Sequence, residues 1–280
     1  VRIGVLNGRT VIVDGQRAVD VADASNGRFG PAPAAVYDAW TEFSEWAATA
    51  PTPNGTPYDS SALENPVPEP RQIFAIGLNY AEHAAESHYA VPEFPPVFTK
   101  YRSSLAGPRG EVELAGPKVD WEVELVAVIG RPAHRVPESE GWNYVAGLTV
   151  GQDISERETQ FAATPPQFSL GKSFPGFSPV GPVLVTVDEL ADPDDLELGC
   201  DINGEQVQKG RTSEMIFSVP QLVSRLSHIT PLLAGDLIFT GTPAGVGLGR
   251  TPQRFLAAGD VLRSYIAGIG EIEQTFVQGQ

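Results

Sequence analysis

Apolar residues in this chain fall into many short stretches, with few long helices. Val1 to Leu6 and Thr10 to Val13 read as strands around an Asn7-Gly8 turn, a dipeptide suited to a tight hairpin. Across residues 33–48, Val36, Trp40, Phe43 and Ala47 recur at helical spacing. Asp38, Glu42 and Glu45 lie opposite, so one amphipathic helix is predicted. Pro53, Pro57, Pro66 and Pro68 then mark 51–70 as an extended linker or surface loop. Beyond it, apolar runs at 73–77, 123–130, 183–187, 237–240 and 261–266 are broken by Gly and Pro. The expectation is an α+β, strand-dominated chain, with a small N-terminal α/β region over 1–70 and a main domain over 71–280.

One run carries more than fold information. Val119-Asp120-Trp121-Glu122-Val123-Glu124-Leu125-Val126-Ala127-Val128-Ile129 has the length and β-branched content of a buried strand, yet it holds Glu122 and Glu124. Residues two apart on a strand share a face, so both glutamates lie with Val126 and Val128 while Val123, Leu125 and Ala127 line the other side. Two carboxylates about 5–7 Å apart at an effective dielectric near 20 repel by roughly 2–3 kcal/mol, and burial adds to that cost. Protonation, an arginine or a bound cation must compensate. The ordinary alternative is an edge strand with one wet face.

Composition narrows the possibilities. The 280 residues make one large domain, or one domain with a small appendage, and 41% hydrophobic content is enough for a sizeable core. No run of about 18 apolar residues is present, which predicts no membrane-spanning helix. A net charge of −16 argues against a nucleic-acid partner, whose phosphates need a basic footprint. Cys200 is the single cysteine, which excludes an intrachain disulfide or a thiolate zinc cluster and predicts a small packed side chain. The N-terminus lacks a long apolar stretch, and a cytoplasmic location is expected. Gly171-Lys172-Ser173 and Gly245 to Gly249 fail as phosphate-loop and dinucleotide motifs because the flanking residues are wrong.

Several other segments fit one chemistry. His83 and Glu86 are three apart, so on a helix they form a carboxylate-oriented imidazole, a general-base dyad; an ordinary surface pair is the alternative. Asp153 opens a predicted helix that puts Arg157 and Gln160 near one face, and its plain alternative is a helix N-cap. Lys100 and Lys172 each stand beside aromatic residues. Thr242 belongs to Thr240-Gly241-Thr242-Pro243, a turn offering backbone donors and a hydroxyl.

Taken in order, these segments resemble the fumarylacetoacetate hydrolase family over about residues 71–270. The motifs are Ile76-Gly77-Leu78-Asn79-Tyr80 with His83 and Glu86, Phe98-x-Lys100, Glu122-x-Glu124-Leu125, Asp153 with Arg157 and Gln160, Gly171-Lys172-Ser173-Phe174, and Gly241-Thr242-Pro243-x-Gly245-Val246-Gly247. The resemblance implies a mixed β-sandwich roll, usually as a homodimer. It implies Glu122, Glu124 and Asp153 as metal ligands, His83 and Glu86 as a dyad on a closing lid, and Lys172 as a catalytic lysine that contacts substrate and developing negative charge. Lys100, Arg157, Gln160 and Thr242 correspond to residues that shape or contact the substrate site. Trp121, Gln152 and Tyr101 replace residues more common in the family, which bears on substrate rather than metal.

An all-oxygen site suits Mg²⁺, with Mn²⁺ or Ca²⁺ as alternatives. Hydrolytic C–C cleavage of a 2,4-dioxo acid of the acylpyruvate or fumarylpyruvate type is the first expectation. A 5-carboxymethyl-2-hydroxymuconate-type isomerase, an oxaloacetate decarboxylase or tautomerase, or a sugar-acid dehydratase would use the same metal-enolate site. A non-catalytic metal-binding homologue is the alternative of another class. The expected partner is therefore a small dioxo or hydroxymuconate acid, with no membrane and no nucleic acid.

Overall fold

The computed structural model describes residues 1–50 and 55–279. Ten strands form the path of the main sheet, in the order Thr56–Pro57, Arg17–Asp20, Arg9–Asp14, Arg2–Leu6, Ser178–Val185, Val145–Gln152, Val123–Ile129, Leu237–Phe239, Ile73–Ile76 and Val97–Thr99. Leu105–Ala106 joins it beside Ser178–Val185. A second sheet runs Glu205–Arg211, Glu197–Ile202, Val261–Ile266, Gly270–Val277 and Arg109–Glu113. Most pairings are antiparallel, but Leu237–Phe239 runs parallel to Ile73–Ile76. The result is the expected strand-dominated α+β fold.

The main sheet is covered on both faces. Val123, Leu125 and Ala127 share a core with Leu198, Cys200 and Phe276 of the second sheet. Val126 and Val128 share another with Val36, Tyr37 and Phe43 of the N-terminal helices. The facial alternation read from 122–129 is therefore realised. The Val123–Ile129 strand is wholly buried between two neighbours, and the wet edge-strand alternative fails. Cys200 is buried, as its isolation suggested.

Two details depart from the sequence pattern. The helix expected over 33–48 is two helices, Pro33–Asp38 and Trp40–Ala47, broken at Ala39. The break lets the Trp40 ring stack on Tyr37 at 5.8 Å. It also brings Trp40 so close to Gly130 that a Cβ there would stand 2.6 Å from the ring. Of the proline-rich stretch, 51–54 lie outside the described residues. From Gly55 on, the chain is tied down: Thr56 pairs with Ala18, the Glu64 amide donates to the Val5 carbonyl, and Leu63 and Val67 are buried. We propose that the chain divides near residue 70. No helix among the described residues is long and apolar enough to cross a membrane.

Candidate active site

The acidic groups gather where two central strands end. Val123 pairs with Gln152 and Glu124 with Gly151, so Glu122 and Asp153 lie just past the last pair, where the Asp153 amide donates to the Glu122 carbonyl at 2.9 Å. Gly151 is required there: a Cβ would meet Val126 at 2.5 Å and Phe239 at 2.8 Å. Glu122, Glu124 and Asp153 each offer an oxygen within 4.8 Å of the others, and all three are buried. The third element comes from the turn after Leu237–Phe239, whose Gly241 amide donates to Glu124 Oε2 at 2.8 Å.

Three buried cations face this cluster. Arg157 opens the short helix Arg157–Gln160, which is capped by Glu156 and not by Asp153. The N-cap alternative for Asp153 is thereby replaced, and its carboxylate is left to the site. Lys172 follows the helix Phe168–Gly171, and Gly171 allows that helix to approach Gln160 closely. Lys172 Nζ lies 2.7 Å from Glu122 Oε2 and 2.6 Å from Asp153 Oδ2. Arg157 Nη1 lies 2.8 Å from Glu122 Oε1. Lys100, just past the Val97–Thr99 strand, donates to Asp153 Oδ1 and to the Lys172 carbonyl.

Electrostatics separate the two glutamates. Burial pushes the Glu122 carboxyl upward, but Lys172, Arg157 and His83 together hold it down to about 2. Glu124 is driven well above its ordinary range by burial first, then by Asp153 and Glu122. No side-chain cation bonds to Glu124 among the described residues. Burial lowers the Lys100 ammonium, against the attraction of Asp153. Asp120 is a further buried carboxylate beside the triad, gripped by Arg157. A hard divalent ion on carboxylate oxygens fits the uncompensated Glu124 and that donor set.

His83 enters from above. After the Ile73–Ile76 strand the backbone turns through Leu78 at φ 52°, an uncommon conformation for leucine. Asn79 then anchors the chain: its side-chain nitrogen donates to the Phe217 and Thr240 carbonyls at 2.9 and 2.7 Å, and its oxygen accepts from the Phe217 amide at 2.8 Å. The helix Ala81–Glu86 follows and places His83 Nδ1 2.8 Å from Glu86 Oε1. That contact assigns the proton to Nδ1 and leaves the Nε2 lone pair free. Glu86 also accepts the Gly245 amide at 2.9 Å.

The groups meet in a cavity of ≈ 140 Å³. His83, Glu122, Arg157, Gln160, Lys172 and Thr242 line it. Its remaining wall is largely apolar, with Phe98, Phe161, Phe168, Leu78 and Leu248. Glu86 stands behind His83, while Glu124, Asp153 and Lys100 lie outside the cavity lining. Arg157 Nη1 donates to Gln160 Oε1 at 2.9 Å, which turns the Gln160 amide nitrogen away from the guanidinium. The Thr242 hydroxyl donates to the Val123 carbonyl and accepts from Gln208, each at 2.8 Å.

Sequence reasoning assigned no role to Asp120. Its carboxylate takes Arg157 Nε at 2.8 Å and the Gly247 and Leu248 amides at 2.7 and 2.9 Å. It therefore ties the 245–249 loop, and through Gly245 the dyad, to Arg157. A signal existed: Asp120, Glu122 and Glu124 alternate along one apolar run. Gln208, which donates to Thr242 and to the Pro243 carbonyl, had no such signal.

Residues 72–277 match the family model described as fumarylacetoacetate (FAA) hydrolase C-terminal. The chain is 42% identical over 209 residues to "Oxaloacetate tautomerase FAHD2A, mitochondrial" of Homo sapiens, covering 74% of this chain and 67% of that one. Among solved structures, a putative HpcE protein from Mycobacterium smegmatis superimposes with TM-score 0.96 at 54% identity over the whole of both chains. Maleylpyruvate hydrolase from Sphingobium sp. SYK-6, in complex with manganese(II) ion and pyruvate, gives TM-score 0.82 at 28% identity, with 100% of both chains covered.

Proposed function

This chain belongs to the fumarylacetoacetate hydrolase family, and we propose that it moves a proton at the carbon beside the keto group of a small 2-oxo acid, with oxaloacetate-type acids as the first substrate class. One observation carries this reading: His83, oriented by Glu86, opens onto the same small cavity as Glu122, Arg157 and Lys172. Glu122, Glu124 and Asp153 would hold a divalent ion, Mg²⁺ first and Mn²⁺ or Ca²⁺ as alternatives, supplying Lewis-acid polarisation of the acid's oxygens. His83 Nε2 takes the proton from the carbon, and Glu86 stabilises the imidazolium that results. The Lys172 ammonium faces the oxygen on which negative charge develops. Gln160 and Arg157 orient the carboxylate, and the aromatic wall limits water. Returning the proton to the oxygen completes keto–enol exchange.

Hydrolytic C–C cleavage of an acylpyruvate uses the same dyad to deprotonate water, and the maleylpyruvate hydrolase among the structural relatives keeps it as the second reading. Tautomerisation stands first because the relative so named is 42% identical, against 28% for that hydrolase. The test follows decay of enol-oxaloacetate by ultraviolet absorbance beside acylpyruvate hydrolysis, with Mg²⁺ or Mn²⁺ present. Acceleration of the first alone supports tautomerisation, and acceleration of the second moves the assignment to hydrolysis. A chain that accelerates neither, although it binds metal, overturns the proposal and leaves isomerase chemistry or a non-catalytic homologue.

A further inference from the structure

Each of the three clustered carboxylates has one oxygen engaged by a protein donor of its own. Arg157 takes Glu122 Oε1 at 2.8 Å, the Gly241 amide takes Glu124 Oε2 at 2.8 Å, and the Lys100 ammonium takes Asp153 Oδ1. Glu122 Oε2, Glu124 Oε1 and Asp153 Oδ2 stay outside these three contacts. Lys172 bridges the first and last of them.

Lys100 differs from Lys172 in one decisive respect. Its side chain has no exposed surface and it is absent from the cavity wall, so a substrate in that cavity does not reach it. Its partners are Asp153 and the backbone carbonyl of Lys172. Burying an ammonium is costly unless its contacts are fixed and well matched. A lysine held in this way acts through the carboxylate it grips.

We propose that Lys100 is a positioning residue that restricts Asp153 to one ligand oxygen and thereby makes the triad select Mg²⁺ over Ca²⁺. The proposal rests on reading the triad as a metal centre. Mg²⁺ demands compact octahedral geometry and takes one oxygen from each carboxylate. Ca²⁺ accepts more oxygens in looser geometry and gains from a carboxylate that ligates through both. With one oxygen of every carboxylate held by its own donor, the triad would offer a metal at most three protein oxygens, two of which Lys172 bridges in this structure, and the rest of the shell would fall to water and substrate. Releasing Asp153 Oδ1 would add the fourth oxygen from which Ca²⁺ profits. Arg157 and Gly241 would still restrain the two glutamates.

Isothermal titration of the metal-stripped protein with Mg²⁺ and Ca²⁺, for wild type, Lys100→Met and Lys100→Gln, tests this without an activity readout. The ratio of the two dissociation constants is the quantity read. Both ions carry the same charge, so the charge lost with Lys100 largely cancels in it. Wild type should bind Mg²⁺ more tightly than Ca²⁺. Lys100→Met should shift the ratio toward Ca²⁺ by about tenfold. Lys100→Gln, which keeps a donor for Asp153 Oδ1, should stay within about threefold of wild type. A wild-type preference for Ca²⁺ overturns the proposal, and this arm decides even if Lys100→Met does not fold. An unchanged ratio in a folded Lys100→Met also overturns it while leaving the metal centre intact. Failure of wild type to bind either ion removes the metal reading and this proposal with it.

Discussion

Glu124 is the residue on which the energetics of the site turn. Its carboxyl stands above the ordinary value of 4.5, because of burial first and then Asp153 and Glu122. Between 4.5 and that raised value the native state holds a proton that the unfolded chain has released. The stability of the metal-free protein should therefore fall as pH rises through this window. Glu124→Gln should flatten that slope, and chemical denaturation across pH measures it; equal slopes for both proteins would count against the assignment. Excess Mg²⁺ should restore stability at neutral pH, by about 2.7 kcal/mol at a hundredfold excess over the dissociation constant. The same variant should lose most of this metal-dependent rise in melting temperature. His83 carries the second residue-scale prediction. Removing its base in His83→Ala should slow proton transfer by about 10²–10⁴-fold with metal affinity retained, and near-wild-type turnover would show that another group moves the proton. Lys172→Met should slow tautomerisation and hydrolysis alike, since both build charge on the same oxygen.

At the scale of elements, the dyad depends on how the Ala81–Glu86 helix is held. Below it, Asn79 satisfies two carbonyls and one amide in a fully buried position. Asn79→Ala would leave those groups unpaired, and about 1–3 kcal/mol is expected for a single buried group so stranded. A loss of at least that size should appear in denaturant titration, with faster amide exchange across 79–92; unchanged exchange would show that the helix is anchored elsewhere. Above it, Glu86 grips the Gly245 amide, and Asp120 grips the next turn of the same loop. We propose that 79–92 moves as a lid. Amide exchange in this segment should slow when oxalate binds the metal-loaded protein, and exchange unaffected by saturating oxalate would argue for a fixed roof.

For the whole molecule, strand order explains why a site can form here at all. Val123–Ile129 lies inside the main sheet with cores on both sides, so its first residues deliver carboxylates to a place water does not freely reach. The helices Arg157–Gln160 and Phe168–Gly171 bring the cations to that end. A homodimer is proposed from the family resemblance, with 71–280 carrying the interface. Light scattering at micromolar concentration should give twice the chain mass of 29.9 kDa, and a monomer mass would refute it.

Much of this was legible in the chain itself, because periodicity and charge are local properties. The two-residue period fixed which side chains share a face around Glu122 and Glu124, and an unbroken apolar run marked the strand as interior. The three-residue spacing of His83 and Glu86 is enough to make their contact once a helix forms. What the sequence could not assign depends on contacts between distant segments. Lys100 reads in the sequence as a lysine at a position that shapes or contacts the site, but only packing brings it against Asp153 and the Lys172 carbonyl, outside the cavity. Asp153 has the spacing of a helix cap, but the strand continues to Gln152 and Glu156 caps instead. The helix over 33–48 breaks at Ala39, and Trp40, just past the break, packs against a glycine of a remote strand end. Asp120 became a hub only when the 245–249 loop arrived beside it. Local pattern sets which face a residue takes, whereas the partner it meets there is decided by the tertiary fold, since only close packing brings residues far apart in sequence within hydrogen-bonding distance.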